Sequence, residues 1–170
     1  MKSLIIFVFL FGAGFCLNAQ DSLVYRLGAQ VIYHPYELFT GFQAERENGP
    51  HQHQVGLSVG ASTTFFQQRF YPQFHYQYAY HLVKKRWLQT GPVARLSLST
   101  LRFNKQSSHG RSFQEEVFLG AYVGTGNRSR FRLSAGIGPA VEQNWSASRE
   151  KFVHSVSWNT FAEISWSYAL

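Results

Sequence analysis

Two short stretches carry side chains that could do chemistry. His51 and His53 are one residue apart, so on a strand both imidazoles would lie on one face and could bind a metal ion together. The sequence places no carboxylate or third histidine beside them, and the pair follows the turn residue Gly49. A solvated rim therefore explains the pair better than a metal site, and we expect neither a metal nor another cofactor.

The last segment contains the parts of a hydrolase, namely His154, Ser155, Ser157 and Glu163. On an extended strand, however, His154 and Ser155 would point to opposite faces, and Glu163 would lie roughly 25 Å farther along. We therefore expect ordinary polar residues here, no catalytic residue and no enzyme. No glycine-rich phosphate loop occurs in a strand-to-helix context.

Strands must position these residues, because apolar and polar residues alternate almost throughout and no helical period is sustained. The clearest example, QFHYQYAYHL at 73–82, has rings on one face and mostly amides and imidazoles on the other. Eight such segments follow one another without helices, which predicts an all-β antiparallel meander. They lie at roughly 22–33, 37–46, 52–66, 70–82, 87–101, 114–124, 130–145 and 152–170.

The connections differ in length in a way that is typical of outer-membrane barrels. Tight turns are expected at Gly49, at Val83 to Arg86 and near Gly126, and longer polar loops at 103–112 and 146–151. Short turns on one rim and longer loops on the other are the pattern of such barrels, although the connection at 34–36 is too short for it. The basic residues of the long loops could contact the phosphates of lipopolysaccharide. These extracellular loop candidates are Lys105, His109, Arg111 and Arg149.

The glycines indicate which face of the strands is crowded. Outside residues 1–19 and the turn and loop residues Gly49, Gly110 and Gly126, all of them fall on the polar face: Gly28, Gly41, Gly56, Gly60, Gly91, Gly120, Gly124, Gly136 and Gly138. A closed eight-stranded barrel is just wide enough for side chains to fill, so small residues are needed on its inner face. The polar face is therefore predicted to line the lumen, with paired ions. The predicted lumen network is Arg26, Arg95, Glu116, Arg132, Glu142 and Glu163.

The bulky rings then face outward, where lipid accepts them and water does not. The predicted lipid-facing aromatic residues are Phe74, Tyr76, Tyr78, Tyr80, Trp158, Trp166 and Tyr168. The alternative is a soluble, secreted, lipocalin-like barrel that carries an apolar ligand, with these rings inside. That arrangement would place arginine, glutamate and the glycines in solvent.

The first residues and the composition indicate an exported protein. One charge, Lys2, precedes an apolar run and then Asn18-Ala19-Gln20, which predicts a signal peptide at 1–19 and a barrel domain at 20–170. The only cysteine, Cys16, lies in the signal peptide and follows Phe15, whereas lipid attachment requires a small residue there. The net charge of +7 is scattered, so nucleic acid is not an expected partner. Charged residues make up only 15%, which is sparse for a soluble surface.

Several motifs, LQTGPVARLSL at 88–98, LSAGIGPAVE at 133–142 and the terminal FAEISWSYAL, resemble small bacterial outer-membrane barrels of the OmpA-transmembrane-domain and OmpX type. The resemblance covers the whole chain after the signal peptide. It implies insertion by the barrel-assembly machinery, which reads a last strand of alternating apolar residues such as Trp166, Tyr168 and Leu170. The expected location is the outer membrane, with its lipid and lipopolysaccharide as partners.

The expected role is structural, or a surface interaction with another envelope or surface protein through the extracellular loops. The group also includes enzymes, so a barrel that modifies envelope lipid, similar to lipid A deacylases, remains an alternative beside the soluble carrier.

Overall fold

The computed structural model describes residues 23–35, 37–61, 70–85, 87–105, 108–146 and 151–170. It consists of strands that run through most of these ranges. They are β1 (Val24–His34), β2 (Glu37–Asn48), β3 (His51–Gly60), β4 (Pro72–Tyr80), β5 (Val83–Lys85), β6 (Leu88–Lys105), β7 (Ser108–Thr125), β8 (Ser129–Ser146) and β9 (Lys151–Ala169). Among the described residues, no helix is long and apolar enough to cross a membrane.

Every strand pairs in antiparallel fashion with its neighbours, and the sheet closes into a ring. The order is β4-β3-β2-β1-β9-β8-β7-β6-β5, and the additional pairing of β4 with β6 joins the two ends. Strand β5 continues β4 after residues 81 and 82, because both pair with β6. β4 and β5 therefore count as one of the eight strands of the barrel wall, which we call staves. The predicted eight-stranded antiparallel barrel is confirmed.

Several predicted boundaries differ from the structure. The turn predicted at Val83 to Arg86 contains β5, at Val83–Lys85. β3 ends at Gly60, and residues 62–66 of the strand predicted over 52–66 lie outside the described residues. Within 103–112, predicted as the longest loop, residues 103–105 and 108–112 form paired strands in which Asn104 lies opposite His109. Backbone hydrogen bonds form whatever the side chains are, so a polar hairpin carries no apolar alternation that would reveal it. Lys105, His109 and Arg111 consequently lie on strands, whereas Arg149 lies outside the described residues.

The strands alternate between an apolar outer surface and a mainly polar interior. On the outside, Phe42, Leu119 and Trp158 are 77%, 68% and 72% exposed. The interior also contains an apolar cluster, which sequence analysis did not identify. Its members are Ile32, Phe39, Ala79, Val93, Phe118, Tyr122 and Phe161.

Glycine allows two strands to approach closely at one inward position. Gly120 of β7 lies opposite Gly136 of β8, and a Cβ on Gly120 would lie 1.9 Å from the carbonyl oxygen of Ala135. Any side chain would push the strands apart there, because real Cβ contacts are never so short. The turn glycine Gly126 has a φ of 105°, a conformation that side chains disfavour.

The two prolines in the middle of strands, Pro92 and Pro139, lie on the outer face. Pro92 stays in register opposite Ala121. The pairing of β7 with β8 is interrupted between Glu116↔Ala140 and Leu119↔Ile137, beside Pro139. Proline has no N–H to donate to a ladder, which accounts for the interruption.

The β8–β9 pair extends well beyond the end of β1. Strand β1 pairs with β9 only from Arg26↔Ala169 to Tyr33↔Ala162, whereas β8 pairs with β9 as far as Ser146↔Lys151. Residues 151–161 of β9 thus continue roughly 30 Å past the end of β1. We call the extension formed by residues 139–146 and 151–161 the projecting hairpin, although its inward side chains Ala140, Asn159 and Phe161 are still buried in the interior. All side chains from 153 to 158 are exposed, so both faces of this strand meet the surroundings.

Candidate functional sites in the interior and at the rims

The two ends of the barrel differ. One end, here the terminal rim, carries the start of β1, the end of β9 and the turns at Gly49 and Gly126. The other end, the loop rim, carries the projecting hairpin and the short connection from His34 to Glu37. Charged side chains form three clusters between these rims.

The central cluster consists of Arg95, Arg132 and Glu163, which lie on β6, β8 and β9. Arg95 Nη1 donates to Glu163 Oε2 at 2.7 Å, and Arg132 Nη2 donates to Glu163 Oε1 at 3.1 Å. All three side chains are at most 2% exposed. Arg95 also lies over the ring of Phe161, 4.8 Å from its centre. One carboxylate thus joins two arginines across the interior, an arrangement that offsets the cost of burying the charges.

The terminal-rim cluster is centred on Glu47 of β2. Arg26 Nη1 donates to Glu47 at 2.7 Å, Lys84 Nζ lies 2.8 Å from its other oxygen, and Arg130 Nη2 also contacts it. Arg130 approaches the neighbouring Glu45 at 3.5 Å. Glu45 accepts hydrogen bonds from the side-chain amides of Gln43 and Gln52. These contacts join five staves at this end of the barrel.

The loop-rim cluster is centred on Glu116 of β7. His34 Nε2 lies 2.7 Å from Glu116 Oε1, and Asn159 Nδ2 and Gln114 Nε2 donate to the same oxygen at 2.9 and 3.1 Å. Glu142 is half-buried nearby along β8 and accepts hydrogen bonds from Ser112 and Asn144. Among the side chains that the structure describes, which do not include those of 101–111, no arginine forms an ion pair with either carboxylate.

The predicted lumen residues are therefore distributed over three clusters. Arg95, Arg132 and Glu163 lie together, Arg26 lies at the terminal rim, and Glu116 and Glu142 lie at the loop rim. Sequence analysis missed Glu45, Glu47, Arg130 and His34. The parity that places Gly41 inside also places Glu45 and Glu47 inside, so this signal was present in β2 although its apolar alternation is weak.

Some buried polar atoms between the clusters have no partner among the described side chains. Both ring nitrogens of His75 and both amide atoms of Gln77 are in this position. Buried polar atoms normally find a partner, and water takes this role where protein does not.

The histidine pair considered as a metal site lies on the outer surface. His51 Nδ1 is 2.7 Å from the hydroxyl of Tyr78, and His53 Nδ1 is 2.7 Å from that of Tyr76. Within the described ranges, no group of three or more histidine, cysteine, aspartate or glutamate residues could hold a metal ion.

The residues considered as a hydrolase are kept apart. His154, Ser155 and Ser157 are exposed on the projecting hairpin, whereas Glu163 is buried in the central cluster and bound by two arginines. Their positions assemble no nucleophile and base with an orienting carboxylate.

The predicted lipid-facing rings all lie on the outside. Phe74, Tyr80, Trp166 and Tyr168 are 38–42% exposed, while Tyr76 and Tyr78 are half-buried against the histidines. At the terminal rim, Trp166 Nε1 donates to Ser129 Oγ at 2.8 Å, and the Arg128 guanidinium lies 5.3 Å from the ring centre of Tyr168. Amphipathic rings of this kind are typical of a membrane–water interface.

Comparisons with known proteins give matches in structure only. No protein-family model and no curated protein matches the sequence. The N-terminal β-barrel domain of Pseudomonas aeruginosa OprF superposes with a TM-score of 0.58 at 10% identity, over 88% of this chain and 100% of that one. A major outer membrane protein from Thermus thermophilus gives 0.54 at 8% identity, over 88% and 100%. The expected resemblance is thus found in the structure, and the protein is a closed eight-stranded β-barrel with the fold of bacterial outer-membrane barrels.

Proposed function

We propose that the protein is an integral outer-membrane barrel that binds an extended segment of another protein through its projecting hairpin. Phe42, Leu57 and Leu119 on the outer wall are 67–77% exposed, and lipid rather than water suits such a surface. A closed ring pairs its backbone groups internally, as a bilayer requires. The exposure of these side chains argues against the alternative of a soluble carrier, because the apolar side chains of such a carrier would have to line an internal cavity.

The proposal includes an interior that is filled rather than open. The three charged clusters and the ring pair Phe118–Phe161, with centres 5.0 Å apart, support this statement. Eight staves leave an interior of about the size that side chains fill. Insertion by the barrel-assembly machinery and contact with lipopolysaccharide belong to the same proposal.

One observation carries the binding role: the strand edge of β9 on the projecting hairpin. On its other side β9 pairs with β8, but between residues 151 and 161 no described strand pairs with the edge that faces away from β8. Such an edge presents a row of N–H and C=O groups, which is a template for adding one more strand. Val156 and Trp158, 74% and 72% exposed, stand beside it and would contact alternate side chains of the added segment.

The membrane placement can be tested with single cysteines, because the chain has no cysteine after residue 16. We expect Ser155→Cys to react with a membrane-impermeant maleimide on intact cells. Asn127→Cys, in a turn at the terminal rim, should react only after the outer membrane is permeabilised. Release of the protein from membranes by salt alone, or equal labelling of both sites, would contradict the placement.

The edge can be tested with a soluble peptide of alternating valine and threonine. We expect it to slow amide hydrogen exchange at residues 153–161 of the barrel in micelles. Its affinity should fall about tenfold in a Val156→Lys/Trp158→Lys variant, because charge on an edge strand opposes further pairing. A peptide with proline at every second position is the matched control, since it lacks half the donors. Equal protection by both peptides would refute the edge as the binding site.

The rival role, an enzyme that modifies envelope lipid, has no assembled catalytic group to support it at the residues considered. Mass spectrometry of lipid A from cells with and without the protein should therefore show the same acyl chains. A lost chain would overturn the assignment.

A further inference from the structure

The outer wall carries one sector that differs from the rest. On β2, β3 and β4, next to the terminal rim, lie a cation, two imidazoles and a row of phenols instead of aliphatic side chains. We call this sector the imidazole–tyrosine patch. It consists of Arg46, His51, His53, Tyr76, Tyr78 and Tyr80.

The patch is contiguous. Arg46 is the direct cross-strand partner of His53, and the rings of His53 and Tyr78 have centres 5.3 Å apart. His51 lies between Tyr78 and Tyr80, with ring centres at 6.0 and 5.5 Å. The six side chains therefore form one surface, with one residue on β2, two on β3 and three on β4.

The patch offers hydrogen-bond donors and positive charge without a carboxylate. Every carboxylate of β2 points inward, and β3 and β4 contain none. The exposed pair of His51 and Tyr78 shares one hydrogen bond but holds two protons, so one donor remains whichever tautomer is present. Arg46 adds a guanidinium with five N–H groups, which can keep a contact within the protein and still bind an anion.

We propose that the imidazole–tyrosine patch binds the phosphate group of an anionic phospholipid in the leaflet around the terminal rim. The inference rests on the proposed membrane location. Farther from the rim, β2 and β3 carry exposed apolar residues on the same face, with Val55 at 44%, Leu57 at 67% and Phe42 at 77% exposed. A lipid whose headgroup binds the patch would therefore place its acyl chains along these side chains. A free phosphate ion has no acyl chains and would gain no such apolar contacts.

The test uses the full barrel in uncharged micelles and native mass spectrometry, with equimolar phosphatidylglycerol and phosphatidylcholine as probes. We expect one phosphatidylglycerol to be retained about fivefold more than phosphatidylcholine. An Arg46→Gln/His51→Gln variant should lose this preference, and Arg46→Lys, which keeps the charge, should retain it. The matched control is Arg128→Gln, which removes the arginine stacked on Tyr168 elsewhere on the same rim and should change nothing.

Three results would overturn the proposal: equal retention of the two lipids by the wild type, equal loss in Arg128→Gln, and unchanged preference in the double variant. A second measurement separates lipid from soluble anion. The ring signals of His51 should shift in NMR spectra with phosphatidylglycerol but not with millimolar inorganic phosphate, and equal shifts would also refute lipid binding. The two proposals can also fail separately. If the protein prefers phosphatidylglycerol in micelles but is extracted from cell membranes by salt alone, the lipid site stands and the membrane location is refuted.

Discussion

Glu163 is the residue on which the interior depends most, because it is the shared counter-charge of Arg95 and Arg132. A buried ion pair contributes little compared with apolar packing, but removing one partner leaves a charge without compensation. The stability of this cluster is therefore asymmetric: it tolerates the complete set of charges and not a part of it.

We expect Glu163→Gln to lower the free energy of unfolding by about 3–5 kcal/mol, because two buried guanidinium groups lose their carboxylate. Urea unfolding in micelles, followed by tryptophan fluorescence, measures this change. The matched control is Glu115→Gln on the outer face, opposite Leu98 and Val141, which should change stability by less than about 0.5 kcal/mol. Similar losses of unfolding free energy in both variants would show that the central cluster contributes no more to stability than an outer-face carboxylate.

A substitution at Gly120 tests how closely β7 and β8 must approach each other. A methyl group there would lie 1.9 Å from the Ala135 carbonyl oxygen and 2.6 Å from the Cα of Gly136. We expect Gly120→Ala to cost about 1–3 kcal/mol, the usual cost of overpacking, in the same unfolding measurement. Ala121→Val, at the next and outward-facing residue, should be nearly neutral. A neutral Gly120→Ala would mean that β7 and β8 can separate without loss.

At the scale of the strands, the sequence predicts those strands in which apolar and polar residues alternate. It does not predict strands of mostly polar residues that are held by backbone hydrogen bonds. The four outward rings from Phe74 to Tyr80 and the inward glycines indicate which alternate residues point outward and which point into the lumen. The paired residues 103–105 and 108–112 and strand β5 are mostly polar, so their pairing leaves no apolar alternation in the sequence. The clusters could not be predicted either, because the partner of Glu47 depends on register across several staves.

Leu119 tests the orientation of the wall. It is 68% exposed on the outer face of β7, so in water an arginine there would be harmless. In a bilayer we expect Leu119→Arg to cost about 2–4 kcal/mol, as charge near the midplane of a barrel wall does. Reversible unfolding from phospholipid vesicles measures this cost. Leu82→Arg, equally exposed but at the terminal rim, should cost at most about 1 kcal/mol, and equal costs would contradict the orientation.

For the whole molecule, closure of the ring predicts resistance to detergent. We expect the folded barrel to migrate faster than the heated chain on a gel in dodecyl sulfate, because opening any stave breaks two ladders at once. A variant that lacks residues 162–170 cannot pair β1 with β9 and should show one position with or without heating. A single position for the complete chain would mean that the ring opens easily.

The pairing of β1 with β9 also dictates when the protein can fold during its synthesis. Arg26 lies opposite Ala169, so residues 162–169 must be synthesised before β1 can pair on the side that faces away from β2. Until then β1 keeps a bare backbone edge, which aggregates readily. The ring can therefore close only after all of the intervening strands have been made, and pairing over so long a sequence separation is intrinsically slow.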